Sequence, residues 1–280
     1  QVDAKLSRAW GVTAGAQVDA EVPDRFAGVV EPKNQITAGP LFAASFFPSE
    51  SFKAAFSVAR RARFPTLKER FADAFGQRIP APGLGAEKAW NLSLDFTARL
   101  PEDVTLKLSG FDSEVEDLIV RVPMPGGLYQ LQNAGRARMA GVEASVGWKK
   151  EEFGLSIDGG YEYLWARRLD APFPDDQLEY RPEHKALARI SWEFLKGFSF
   201  INEAVITGPR PCLDTDSGTW VRLPTNADWN VKLEGEVVKG LTLWLAATNV
   251  VDLDNTGGYG YPGAGRQIWA GLKFVESGKR

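Results

Sequence analysis

Hydrophobic and polar residues alternate one by one over long stretches of the chain. In residues 92–100, apolar side chains at every even position interleave with Ser93, Asp95, Thr97 and Arg99. Because successive side chains of a strand point to opposite faces, this spacing puts the apolar side chains on one face and the polar ones on the other. Further segments with the same period are 142–149, 155–165, 185–194, 231–237 and 267–274. The pattern predicts an all-β protein.

The alternating segments predict twelve strands joined by short turns and long loops in strict alternation. The expected strands are residues 4–22, 35–47, 52–64, 86–100, 104–120, 129–149, 153–169, 180–195, 198–208, 220–238, 241–252 and 266–275. Short turns are expected at 48–51, 101–103, 150–152, 196–197 and 239–240, and longer loops at 23–34, 65–85, 121–128, 170–179, 209–219 and 253–265. One end of an antiparallel sheet would then carry only short turns, and the other end all the long loops.

The predicted strands are too long for an ordinary soluble sheet. Several run to roughly 15–20 residues, whereas a strand of a globular protein has about 5–6. A tilted strand crosses the hydrocarbon core of a membrane with about 9–11 residues. Short turns at one end, long loops at the other, an even strand number and aromatic residues near strand ends are features of outer-membrane barrels. The tryptophans are Trp10, Trp90, Trp148, Trp165, Trp192, Trp220, Trp229, Trp244 and Trp269. The sequence thus predicts an antiparallel transmembrane β-barrel.

The composition excludes several other classes of protein. The 280 residues include 33 Lys+Arg and 36 Asp+Glu, for a net charge of −3, and 44% of them are hydrophobic. This chain is too hydrophobic to be disordered and not basic enough to expect a nucleic-acid partner. One cysteine (Cys212) and one histidine (His184) cannot supply an internal disulfide or a four-ligand zinc site, so we expect no metal and no cofactor. The sequence holds no run of about 18 apolar residues that would predict a membrane-spanning helix.

Four segments carry a family resemblance. They are residues 57–71 (SVARRARFPTLKERF), 85–91 (GAEKAWN), 180–185 (YRPEHK) and 248–266 (TNVVDLDNTGGYGYPGAGR). In order, spacing and residues they resemble the C-terminal half of the barrel of TonB-dependent outer-membrane receptors. The residues that match the family's motifs are Arg63, Pro65, Leu67, Glu69, Glu87, Asn91, Arg181, Pro182, His184, Asn249, Asp252, Tyr261, Pro262, Gly265 and Arg266. The resemblance covers roughly residues 51–275.

The resemblance implies an architecture and a function. Members of this family look like 22-stranded barrels filled by a plug, so about twelve strands without a plug imply half of a barrel. We therefore expect residues 1–275 to be the barrel portion and residues 276–280 a C-terminal tail. The start Gln1-Val2-Asp3-Ala4 fits either a removed signal segment or a chain taken from a longer one.

By resemblance, the function would be that of a receptor in the bacterial outer membrane. It would take up a scarce ligand, such as an iron-siderophore or cobalamin, and would not be an enzyme. The expected partners are the lipid bilayer, lipopolysaccharide, the extracellular small-molecule ligand and a TonB-type energising complex that acts through the plug.

Two other classes of function remain open at this point. A complete twelve-stranded barrel could be an autotransporter translocator or a passive pore. A translocator needs an N-terminal helix through the pore, whereas residues 1–30 alternate like a strand. A soluble β-rich binding module is disfavoured by the long strands. For an enzyme, no Ser and His share a strand face near His184, because position 186 is Ala and Ser191 falls on the opposite face.

Arginines beside aromatic residues near the long-loop ends of strands are the candidate ligand contacts. Such groups suit an anionic or aromatic ligand, for example an iron-chelator complex. The alternative is an interfacial aromatic belt with snorkelling arginines. The candidates are Trp165, Arg167, Arg168, Arg210, Trp220 and Tyr259.

Local chemistry gives further expectations. Thr66 is placed to cap a short helix, with Glu69 at the capping-box position. Asn249 and Asp252 suit a sharp bend after a long strand. Gly263 and Gly265 could supply positive φ for the last loop. We expect His184 to be structural and to start a strand at the short-turn end. The carboxylates of Asp112, Glu114 and Glu116 share one strand face, as a solvated surface or, alternatively, a cation site.

Overall fold

A computed structural model describes residues 1–22, 34–214 and 217–275. The expected tail 276–280, most of the loop 23–34 and two residues of the loop 209–219 lie outside this part. Within it, thirteen strands form one continuous wall: β1 Val2–Lys5, β2 Trp10–Glu21, β3 Gln35–Ser49, β4 Phe52–Arg63, β6 Glu87–Leu100, β7 Val104–Pro123, β8 Tyr129–Lys150, β9 Leu155–Arg168, β10 His184–Leu195, β11 Phe198–Thr207, β14 Asn226–Val238, β15 Leu241–Thr248 and β18 Gln267–Phe274.

The remaining elements are short and lie between the wall strands. They are β5 Arg78–Ile79, β12 Arg210–Asp214, β13 Thr219–Leu223, β16 Thr256–Gly258, β17 Tyr261–Pro262, the helix α1 Leu67–Phe71 and the 3₁₀ turns Pro125–Gly127 and Glu151–Phe153. In the described part of the chain, no helix is long and apolar enough to cross a membrane.

Each wall strand pairs antiparallel with the next one along the chain, which confirms the all-β antiparallel fold. The short β5 adds parallel to β8, giving a fourteen-stranded sheet, while β12 with β13 and β16 with β17 form separate hairpins. Among the described residues, β1 and β18 are the two edges of the sheet and do not pair with each other, so the wall is open.

Most predicted strands agree with the observed ones to within about three residues. The first predicted strand is instead a hairpin of β1 and β2, because the Ser7 hydroxyl accepts hydrogen bonds from the backbone N–H groups of Ala9 and Trp10, each at 3.1 Å. The predicted strand 220–238 is divided into β13 and β14. Residues 2–5 and 10–21 are strands, not the helix that a translocator would thread through its pore.

The wall has two chemically different faces. Register places the even residues of β6 beside the even residues of β7 and β8 and the odd residues of β9, and these side chains form what we name the apolar face. Leu92, Leu94 and Leu100 on this face remain 42–45% exposed. The opposite side is the polar face, where a hollow of about 540 Å³ spans β6 to β11, so the wall curves toward its polar face. Within the described chain, no protein covers the apolar face.

Two tryptophan belts bound the apolar face. Trp10, Trp148 and Trp192 lie near the short-turn end, and Trp90, Trp165 and Trp229 lie near the long-loop end. From Trp90 to Leu100, a strand rises about 33 Å at about 3.3 Å per residue. At the tilt of about 35–45° found in barrels, this corresponds to roughly 25 Å, the height of the apolar band of an outer-membrane barrel.

One irregularity in β7 marks the upper limit of the apolar face. The pairing of β7 with β8 shifts between Val115 and Leu118, and Asp117 has φ of 56°. This bulge changes which face each following residue of β7 points to.

Candidate functional site

At the long-loop end of the wall, three charged side chains meet. Arg63 at the end of β4 contacts Glu69 of α1 (Nη1 to Oε2, 2.9 Å) and Glu87 of β6 (Nε to Oε2, 2.6 Å). The capping box is present as predicted: Glu69 N–H donates to Thr66 Oγ1 and Thr66 N–H donates to Glu69 Oε2. Burial alone would raise the pKa of Glu69, but the hydrogen bonds from Arg63 and Thr66 outweigh it and hold that pKa below its usual value. The junction fixes α1 against two wall strands.

The loop after α1 is fastened to the wall by buried groups. Arg70 is fully buried and its Nη2 pairs with Glu21 of β2. Gln35 accepts from Ala86 N–H at 2.8 Å and donates to Leu84 C=O at 2.7 Å. Asn133 pairs with Gly85 in the same way: its side chain accepts from Gly85 N–H at 2.7 Å and donates to Gly85 C=O at 3.0 Å. The sequence reasoning missed these amides, because a single Gln or Asn at a strand end carries no periodic signal.

The candidates on β9 point to opposite faces of the wall. Trp165 and Arg167 lie on the apolar face, whereas Arg168 lies on the polar face, as the pairing of β8 with β9 requires. Arg167 pairs with Glu183 (3.3 Å) and Asp176 (3.5 Å). Arg168 pairs with Asp170; burial acts to raise the pKa of Asp170, but hydrogen bonds from Arg168 and the Arg136 backbone lower it overall. Both arginines therefore form ion pairs with carboxylates of the protein itself.

The other three candidates lie in the loop hairpins above the wall. Trp220 on β13 donates its indole N–H to Asp175 at 3.0 Å, and Tyr259 donates to Asp214 at 3.3 Å. Arg210 is buried, and its Nη2 donates to the C=O of Thr256. The structure thus joins Arg210, Trp220 and Tyr259 into one group of loops, separate from Trp165.

Beneath these loops, the buried Cys212 contacts two exposed residues, Glu179 and Tyr180. The Cys212 thiol is 3.0 Å from the Tyr180 hydroxyl and 3.8 Å from Glu179 Oε2. The hydrogen bond with Cys212, together with burial, raises the pKa of Tyr180. The contacts of Cys212 with Glu179 and Tyr180 hold the hairpin of β12 and β13 against the segment before β10. In the parts of the chain that the structure describes, no group of three or more His, Cys, Asp or Glu side chains could hold a metal ion.

Asn249 and Asp252 shape the last long loop, as expected from their type. Asn249 is buried with φ of 48°, and its side chain accepts from Leu253 N–H (2.9 Å) and donates to Leu253 C=O (2.8 Å). Asp252 has φ of 57° and accepts from Arg266 N–H at 2.7 Å. The expectation of positive φ at Gly263 and Gly265 is wrong. Gly263 is required for space, because a Cβ there would lie 2.7 Å from Asn255 O; at Gly265 it would lie 3.1 Å from Asp252 Oδ1.

His184 occupies the end opposite to the one expected. Strand β9 rises from the short turn at Glu151–Phe153, so β10 begins with His184 at the long-loop end. Its Nδ1 is 2.7 Å from the Tyr161 hydroxyl, and its ring centroid is 5.4 Å from that of Tyr163. His184 therefore anchors aromatic residues of the neighbouring strand.

The remaining motif residues have varied surroundings. Asn91 accepts a hydrogen bond from Ser113 at 2.9 Å. Pro65 and Pro182 are buried, whereas Leu67 and Arg181 are exposed. Tyr261 and Pro262 form the exposed strand β17.

The acidic residues of β7 lie on the side of the apolar face at its long-loop end, and not in a wet lumen: Asp112 is opposite Leu92, Glu114 is opposite Trp90, and Glu116 is opposite Lys88. Asp112 accepts hydrogen bonds from Arg138 Nε at 3.0 Å and 3.1 Å, and Glu114 pairs with Arg136 at 2.5 Å. Glu116 lies on the same side and is the first of the three beyond the Trp90 level.

Sequence comparison identifies the family. Residues 5–250 match the family model described as TonB dependent receptor-like, beta-barrel. The chain belongs to the TonB-dependent receptor β-barrel family, whose members are bacterial outer-membrane proteins. The matched family is one of receptors, and the solved structures that the chain resembles include an import receptor and a copper transporter.

Solved structures share the fold of the wall. The FrpB iron transporter from Neisseria meningitidis (F5-1 variant, apoprotein form) aligns with a TM-score of 0.76 at 18% identity, over 97% of this chain and 44% of that one. The copper transporter OprC gives 0.75 at 17% identity, over 96% and 46%. The siderophore receptor PiuA from Acinetobacter baumannii gives 0.74 at 17% identity, over 96% and 41%. The chain thus spans less than half the length of these structures and corresponds to a barrel half.

Proposed function

We propose that residues 1–275 are the barrel portion of a bacterial outer-membrane receptor that takes up a scarce extracellular ligand of the iron-siderophore or cobalamin type. Import is driven by a TonB-type energising complex that acts through a plug domain. The apolar face meets the lipid bilayer and lipopolysaccharide, and the long loops face the outside. Residues 276–280 are a C-terminal tail.

The observation that carries this proposal is the exposed apolar face between two tryptophan belts. Removing apolar surface from water is worth about 25 cal/mol per Å², so a wall of exposed Leu, Phe and Trp side chains is stable only against an apolar medium. In the described part of the chain, the long connections lie at one end of the wall, and the other end has tight turns such as Glu102–Asp103, both with positive φ. This asymmetry supports a receptor surface at the long-loop end.

Within that end, Trp220, Tyr259 and Arg210 form the best ligand-binding candidates. Trp220 and Tyr259 offer aromatic surface and lie beside the carboxylates of Asp175 and Asp214. Arg210 holds the loop that carries Tyr259 through its bond to Thr256. Arg167 and Arg168 support the neighbouring loop through their ion pairs with Asp176, Glu183 and Asp170, whereas Trp165 lies apart from this group on the apolar face. An iron-siderophore is favoured because FrpB and PiuA are an iron transporter and a siderophore receptor.

Uptake by the complete receptor tests the proposal. Cells that lack other receptors for chelated iron are supplied with radiolabelled ferric siderophores or with labelled cobalamin. Trp220→Ala should lower the affinity at least tenfold for the transported ligand, since buried Trp contacts often contribute 2 kcal/mol or more. Trp148→Phe, at the other end of the wall, should leave uptake unchanged. Deletion of the receptor gene without loss of uptake of any tested ligand would contradict the proposal.

A further inference from the structure

A groove of about 600 Å³ interrupts the apolar face close to its long-loop end. Its floor is formed by Gly110 on β7 and Ala140 on β8, and a Cβ at Gly110 would meet nothing within 4 Å. The sides are higher, because they carry larger side chains from the two flanking strands. These are Leu92 and Leu94 on β6, and Tyr163 and Trp165 on β9.

Charged residues close the upper end of the groove. Arg138 directs Nε and Nη2 to Asp112, which leaves Nη1 for another acceptor. One step higher, Arg136 directs Nη2 to Glu114. The Arg136 and Arg138 side chains are 55% and 47% exposed. They lie where the apolar band ends, at the level at which the chains of a lipid meet its headgroup.

A second arginine lies directly across from Arg138. Arg167 on β9 is its cross-strand partner, and both residues are on the same side of the wall. Like charges in this position are destabilising unless an anion lies near them. Arg167 is already paired with Glu183 and Asp176, and Arg138 with Asp112. The exposed N–H groups that remain on Arg136 and Arg138 can still donate to phosphate oxygens, because a guanidinium has five N–H groups.

We propose that this groove binds an acyl chain of a phosphorylated outer-leaflet lipid, with the lipid phosphate on Arg136 and Arg138. The inference rests on the proposed function, in which the apolar face meets the membrane. The groove is continuous with that face, so the molecule that fills it comes from the lipid that surrounds the barrel. Its apolar sides match the chain, and the arginines above match the anionic headgroup.

Lipid retention by the receptor purified from outer membranes tests the inference. Native mass spectrometry after extensive detergent washing should find one phosphorylated lipid per protein. Ala140→Leu and Gly110→Leu fill the groove while keeping the face apolar, and each should lower retention at least tenfold. Ala188→Leu, a small-to-large change on the same face of β10, is the matched control and should retain the lipid.

Titration of the washed protein with purified lipid A tests the headgroup contact. The double variant Asp112→Asn with Arg138→Gln keeps the net charge and should weaken binding of bis-phosphorylated lipid A about tenfold, with a smaller effect for a form that lacks the phosphates. Equal retention by the groove-filled variants, or a wild-type protein that retains no lipid, would overturn the inference and leave the receptor assignment intact. A protein that needs no detergent and is absent from outer membranes would instead overturn the proposed function.

Discussion

Asn255 holds Ala227 through both backbone polar groups of that residue. Its Oδ1 accepts from Ala227 N–H at 3.0 Å, and its Nδ2 donates to Ala227 C=O at 3.1 Å. The side-chain amide repeats the pairing that a neighbouring strand would give, at the start of β14. Asn226 pairs with Thr256 in the same manner: its Oδ1 accepts from Thr256 N–H at 3.0 Å, and its Nδ2 donates to Thr256 C=O at 2.8 Å. The two asparagines together fasten the last long loop to the wall.

Asn255→Ala should destabilise the protein by about 1–3 kcal/mol, because it leaves the partly buried N–H and C=O of Ala227 without their partners. The free energy of unfolding in urea, measured in lipid vesicles, checks this value. Gln267→Ala removes an exposed amide from the polar face of the edge strand and should change stability by less than about 0.5 kcal/mol. Equal effects of the two substitutions would show that the clamp contributes nothing.

The positive φ at Asn249 can be separated from its hydrogen bonds. Asn249→Gly and Asn249→Ala both lose the bonds to Leu253, but only glycine adopts φ of 48° without strain. We expect the alanine variant to be less stable than the glycine variant by about 1 kcal/mol. The same urea titration measures the difference, and a more stable alanine variant would contradict the role assigned to the backbone.

Acid should release α1 from the wall. The pKa of Glu69 is lower in the folded protein than in the unfolded chain, so the stability that it contributes is present above its unfolded pKa, about 4.3, and is lost as the pH falls through its folded pKa. The hydrogen-exchange protection factors of residues 66–84, taken relative to the intrinsic exchange rate at each pH, should therefore fall at low pH. Glu69→Gln cannot form the ion pair with Arg63, and it should show fast exchange at pH 7.

The matched control for this pH effect is Glu152→Gln, in the short turn at the other end of the wall. It should leave the exchange of residues 66–84 and its pH dependence unchanged. If the protection of residues 66–84 in the wild-type protein does not change with pH down to about 3, Glu69 does not hold this loop on the wall.

The two faces of the wall can be distinguished at neighbouring positions of one strand. Ala144 and Ser145 are both exposed on β8, and Ala144 lies midway between the tryptophan belts on the apolar face. Ala144→Arg should cost about 2–4 kcal/mol in lipid vesicles, because arginine is expensive at the middle of a bilayer. Ser145→Arg, on the polar face, should cost less than about 1 kcal/mol. Equal costs would contradict a membrane on the apolar face.

The strands could be predicted from sequence because one face of the wall is apolar between the two tryptophan belts and the other is polar. That condition imposes strict alternation, visible from Leu92 to Leu100. The capping box of Thr66 and Glu69 was also visible, since it depends on residues three apart. Family motifs located Arg63, Glu87 and Asn249, although their partners became clear only in the structure.

The remaining features depend on contacts distant in sequence. The ion pair of Arg70 with Glu21 joins residues 49 positions apart, and neither residue type predicts its partner. Likewise, Trp165 and Arg168 look like one cluster in the sequence, but the strand period puts them on opposite faces. The hairpin at Ser7 was missed because β1 and β2 both continue the same alternation through the turn.

The bulge at Asp117 bears on how such a wall tolerates insertions and deletions. Removing a single residue between the tryptophan belts would exchange the two sets of side chains of that strand and, on the proposed function, expose charges to lipid, so length changes there should come in pairs. Beyond the Trp90 level this restriction ends, because either side meets water or headgroups. The extra residue of β7 lies above that boundary, where loops can vary in length between relatives while the wall keeps its register.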